Sequence, residues 1–110
     1  MNWINLNNED QFRDLLTDQQ IFAVFKHSTR CSVSSMVKNR LERDWSDKDI
    51  PVYYLDLIAH RNVSNLIADV SGVRHESPQL IVFNNGAAVY DASHTGIIAE
   101  EAGAFLDARL

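Results

Sequence analysis

Apolar positions recur along this chain at two spacings, one suited to strands and one to helices. Trp3 to Leu6 is a short apolar-rich segment that suits an edge strand. Asn7 and Asn8 follow as candidate N-caps, and Phe12, Leu15 and Leu16 then fall at helical spacing. Ile21 to Phe25 is a continuous apolar run, too short for a helix and rich in strand formers, so a buried strand is expected. Beyond a polar loop around His27 to Arg30, Val33, Met36, Val37, Leu41 and Trp45 mark one face of a second helix, read as core-facing. The charge-rich segment Arg43 to Asp49 ends that helix, and Pro51 introduces a strand, Val52 to Leu57, whose apolar character suits an interior position. Val63, Leu66, Ile67 and Val70 form a third stripe, closed by Gly72 at a C-cap.

Leu80 to Phe83 and Ala87 to Tyr90 flank Asn84-Asn85-Gly86. Asn-Gly between two apolar runs predicts a hairpin, because both residues tolerate positive φ. Ile97, Ile98, Ala102, Phe105 and Leu106 then predict a last helix, with Ser93 or Thr95 as its cap. The order is βαβαβαββα. Right-handed crossovers place helices on both faces of a mixed sheet, with the hairpin adding an antiparallel edge. This is the arrangement of a thioredoxin-like α/β fold, over a single domain spanning residues 1–110.

Composition narrows the setting. The 110 residues carry a formal net charge of -5, with ten Lys and Arg residues scattered along the chain, which disfavours nucleic acid as a partner. No stretch approaches the roughly 18 apolar residues of a membrane span. The segment MNWINLNNEDQ lacks the basic and apolar regions of a secretion signal, so a cytoplasmic location is expected. One cysteine, Cys31, cannot form an internal disulfide, and an isolated thiol persists in a reducing compartment.

Cys31 falls where the strand ending at Phe25 gives way to the second helix, among the polar residues Thr29, Arg30, Ser32 and Ser34. A thiol there is expected to face the helix's positive end and its unpaired N–H groups, which favour the nucleophilic thiolate. Lys26, His27 and Arg30 add cationic or ionisable groups nearby in sequence. Three residues on, where a dithiol oxidoreductase carries its second cysteine, stands Ser34, making Cys31 to Ser34 a C-x-x-S. A mixed disulfide at such a site has no internal thiol to release it, so an external thiol is required.

Pro78, within His75-Glu76-Ser77-Pro78-Gln79, lies between the third helix and the next strand. In a thioredoxin-like fold this loop carries a cis-proline beside the active cysteine, and Ser77 presents backbone groups to substrate. His27 and His75 are expected to flank Cys31 and tune it. His60 and His94 read as surface residues, no histidine pair has zinc-ligand spacing, and Asp56 with Arg61 suggests a structural pair.

The segments FKHSTRCSVS, YYLDLIAHRNVSN and HESPQ, with Ser93-His94 before the last helix, resemble the monothiol bacilliredoxins of the YtxJ-like group over nearly the whole chain. The resemblance implies a thioredoxin-like fold and an enzyme that removes a low-molecular-weight thiol, bacillithiol, from mixed disulfides on client proteins. Cys31 would be the nucleophile and a second small thiol would restore it. Thr29, Arg30, Ser32, Ser34, His75, Ser77 and Pro78 would bind substrate. No metal or cofactor is implied beyond the thiol co-substrate, and a monomer is expected. One departure stands out: the family pattern is T-C-P-x-S, whereas here Arg30 precedes the cysteine and Ser32 follows it. The alternative is a non-catalytic module that uses a Cys31–Pro78 groove for a peptide. An iron–sulfur monothiol glutaredoxin is a weaker fit, since its C-G-F-S is absent.

Overall fold

Among the described residues, five strands form one mixed sheet in the order β1-β3-β2-β4-β5. They are β1 (Trp3–Asn5), β2 (Ile21–His27), β3 (Val52–Asp56), β4 (Gln79–Asn84) and β5 (Ala87–Ser93). The helices are α1 (Glu9–Asp18), α2 (Ser32–Asp44), α3 (Arg61–Ser71) and α4 (Ala99–Asp107). The computed structural model describes residues 1–45 and 50–109, so the end of the charged segment Arg43 to Asp49 lies outside the described residues.

β1, β3 and β2 run parallel, and β4 and β5 are antiparallel to their neighbours. β1 is the expected parallel edge, β3 is interior, and β5 is the antiparallel edge, with side chains alternating between exposed and half-buried. The hairpin forms as its sequence requires, with Asn85 at φ 52° and Gly86 at φ 82°.

Strand alternation splits the core in two. Ala23 and Phe25 face α2 and α4, packing with Val37, Leu41, Ala102 and Leu106. Phe22 and Val24 face α1 and α3, packing with Phe12, Leu15, Val63 and Ile67. Phe12 and Phe22 each meet the Phe83 ring, stitching α1 to the sheet.

Local signals explain most boundaries. Asn8 caps α1 by accepting the Gln11 N–H at 2.8 Å. Gly72 closes α3 in the left-handed conformation, φ 73°. Other expectations are corrected. β2 continues past Phe25 through Lys26 and His27, both buried. Val33 and Met36 are about two-fifths exposed and outside the core. They precede Ser34 and Val37, which do face inward, by one position, about 100° around the helix. Val70 is likewise exposed, one turn beyond the last residue of α3 that the sheet covers. α4 begins only at Ala99: neither Ser93 nor Thr95 caps it, the cap position is Ile98, and Ile97 is buried from the preceding turn. Asp56 turns to backbone, accepting the N–H groups of Ile58 and Ala59, rather than pairing with Arg61.

Candidate active site

The site assembles where β2 runs out. Because β2 pairs antiparallel with β4, Lys26 lies opposite Gln79, and Pro78 follows on toward the end of β2 from which Ser28 to Arg30 lead into α2. The Ser77–Pro78 peptide bond is cis. Pro78 is buried, and its carbonyl accepts the His94 N–H at 2.9 Å, tying this loop to the 3-10 turn His94–Gly96. His94 adopts φ 54°, unusual for a residue with a side chain, and its Nε2 lies 3.3 Å from Glu76.

Cys31 is the N-cap residue of α2 and is half-buried. Its carbonyl accepts the first helical hydrogen bond, from Ser35, and its N–H closes a turn onto the Ser28 carbonyl. The sulfur accepts no capping hydrogen bond from the first-turn N–H groups. Thr29, Arg30 and Ser32 around it are exposed.

Ser34 is placed differently from its neighbours. It is completely buried, its Oγ 2.7 Å from His27 Nδ1 and accepting the Ser28 N–H at 3.1 Å. Its hydroxyl therefore holds the β2–α2 junction together and has no surface to offer a substrate. His27 packs against the rings of Phe25 and Tyr54. Burial, with Lys38 nearby, pushes its pKa below the ordinary histidine value.

His75 is also committed inward. Its Nδ1 lies 3.3 Å from Lys26 Nζ and 3.2 Å from Ser64 Oγ, and burial, reinforced by Lys26 and Arg61, lowers its pKa. Lys26 is fully buried with its ammonium toward α3, where it also donates to the Ser64 carbonyl at 3.3 Å. It thus points to the sheet face opposite α2 and adds no charge beside Cys31. Ser77 Oγ is buried without a partner among the described residues.

This inward role of Lys26 is hidden as long as β2 is taken to end at Phe25. The signal was present: Phe22, Val24 and Lys26 share one parity of the strand, so a continued β2 sends Lys26 into the α3 face.

Among the described residues no helix is long and apolar enough to cross a membrane, and no three His, Cys, Asp or Glu side chains gather as a metal site. The chemistry on display is that of a single thiol at a helix start.

Comparison with known proteins agrees. The family model for the monothiol bacilliredoxin BrxC matches residues 4–102. A protein of thioredoxin fold assigned as an oxidoreductase superposes with a TM-score of 0.84 at 30% identity, covering 93% of this chain and 91% of that one. A mutant thioredoxin from Halobacterium salinarum gives 0.74 at 15% identity, over 96% and 88%. Thioredoxin f2 of Chlamydomonas reinhardtii gives 0.74 at 13%, over 98% and 96%, and these two speak for the fold alone. The chain belongs to the monothiol bacilliredoxin family, thiol–disulfide oxidoreductases of thioredoxin fold.

Proposed function

We propose that Cys31 removes bacillithiol from mixed disulfides on client proteins. The Cys31 thiolate attacks the bacillithiol sulfur of the mixed disulfide. A Cys31–bacillithiol disulfide forms, the old S–S bond breaks, and the client leaves as a thiolate that takes up a proton. A second bacillithiol thiolate then attacks the sulfur of the captured bacillithiol, giving bacillithiol disulfide and free Cys31. Electrons balance, since the second thiol supplies the reducing equivalent.

The observation that carries this reading is the placement of the chain's sole thiol at the N-cap of α2, with the position three residues on filled by a buried hydroxyl. A captured thiol cannot be displaced from within, so release falls to a second small thiol. Arg30 and Ser32, exposed on either side of Cys31, are suited to meet the polar, anionic body of such a thiol, with Thr29 beside them. Ser77 and Pro78 would form the opposite wall. Ser34 would serve from beneath by holding the Ser28 backbone, and His75 by meeting the Lys26 and Ser64 side chains, rather than by touching substrate. The reaction suits a reducing compartment such as the cytoplasm.

Incubation with a peptide carrying a bacillithiol mixed disulfide should add one bacillithiol to Cys31 by intact mass, and Cys31→Ala should gain nothing. Unmodified wild-type protein, or a peptide complex that survives Cys31→Ser without turnover, would replace this reading with that of a binding module.

A further inference from the structure

Two consecutive residues at the end of β2 reach to opposite faces of the sheet, and each grips a different wall of the site. His27 turns toward α2 and meets Ser34, in the first turn of the helix that Cys31 caps. Lys26 turns toward α3 and meets the Ser64 carbonyl and His75 Nδ1, both at 3.3 Å. His75 stands three residues before Pro78, and Gln79, the first residue after that proline, pairs with Lys26 itself in the sheet.

Packing gives no reason for a lysine here. Its neighbours in parity, Phe22 and Val24, fill the same face with apolar side chains, and taking an ammonium out of water is costly unless partners replace the lost hydration. The partners it has come from α3 and from the loop leading into Pro78. Arg61 on α3 and Glu76 in the loop are the other charged groups acting on His75. The outlay secures a definite geometry between β2 and the proline loop, which a greasy contact would leave free to slide.

We propose that Lys26 is a positioning residue for thiol exchange, holding the His75–Pro78 loop in register with Cys31 through His75 and Ser64. It acts on the wall that receives the disulfide and leaves the sulfur itself untouched. The inference rests on the reading of Cys31 as the exchanging nucleophile.

Two probes separate the wall from the sulfur. Iodoacetamide alkylates Cys31 without needing the groove, whereas a peptide carrying a bacillithiol mixed disulfide must be seated in it. In the full-length protein, Lys26→Met should slow exchange with the peptide about tenfold or more while alkylation keeps its wild-type rate. Equal exchange rates, or exchange and alkylation falling by the same factor, would overturn the proposal. Should Lys26→Met fail to fold, the pair His75→Leu and His75→Asn carries the same test. An asparagine can set its amide oxygen where Nδ1 lies and accept from Lys26, so Asn should restore exchange that Leu slows; equal slowing by both would overturn it. Wild-type protein that alkylates but never exchanges is a different failure, one that removes the function proposed above.

Discussion

Ser34 and His27 share a buried 2.7 Å hydrogen bond that joins the first turn of α2 to the last residue of β2. The serine occupies the place where a dithiol relative has its resolving sulfur, yet it is fully spoken for, since the Ser28 N–H also donates to it. The position of a resolving thiol is thus filled by a structural hydroxyl. Cys31 has a rigid seat and no internal partner, the combination a one-thiol exchanger needs.

Ser34→Ala should therefore be costly although it deletes a single oxygen. It strands the Ser28 N–H and His27 Nδ1 together in the interior, and a buried polar group without a partner costs about 1–3 kcal/mol. Urea denaturation should show a lowered midpoint with unchanged slope. A midpoint equal to wild type would mean the hydroxyl does not hold the junction.

Acid should weaken the fold first through histidines. His27 and His75 both have pKa values lowered in the folded state, by burial foremost. The unfolded chain then binds more protons below the ordinary histidine value of about 6.5, so their contribution is complete above that pH and is lost as pH falls below it. Denaturation midpoints should drop between about pH 6.5 and 5, before most carboxylates titrate. His75→Asn should make the drop shallower, and a profile identical to wild type would exclude His75 from it.

Much of the frame was readable because local chemistry and global fold agree at particular residues. Asn85 and Gly86 accept the positive φ of a tight hairpin, Gly72 accepts the left-handed cap, and the apolar run from Ile21 fits the middle of a sheet. Cys31 was readable as well, because polar neighbours at a strand-to-helix junction mark a site and not a core. Legibility failed where burial overrides residue type. Lys26 and His27 look like loop residues until the sheet is known to extend through them. Val33 and Met36 look like core, but they sit a fraction of a turn away from the side that meets the sheet. Ile97 enters the core from a turn, which no helical period announces.

Gly72→Ala isolates the cost of backbone conformation. A Cβ there would meet nothing within 4 Å, so the φ of 73° is the whole of the penalty. A destabilisation of about 1 kcal/mol is expected, with Gly72→Asn costing less because asparagine tolerates the left-handed region. Thermal melts of the two variants check the order, and an Ala variant as stable as wild type would mean the α3 terminus relaxes freely.

Lys26 makes the fold respond to alkali in an unusual direction. Burial lowers its pKa from 10.5 to about 8. Between those values the unfolded chain holds a proton that the folded chain has released, so stability rises with pH across that window. Below about pH 8 both states are protonated and the penalty of burying the charge is present in full. From pH 7 to 9 the gain should be on the order of 1 kcal/mol, read from urea denaturation at each pH. Above pH 10 the trend should reverse as Tyr53, Tyr54 and Tyr90, whose pKa values are raised by burial, ionise more readily in the unfolded chain. Lys26→Met should be flat from pH 7 to 9. If it climbs as steeply as wild type, the rise belongs to another group and Lys26 does not carry a buried charge at neutral pH.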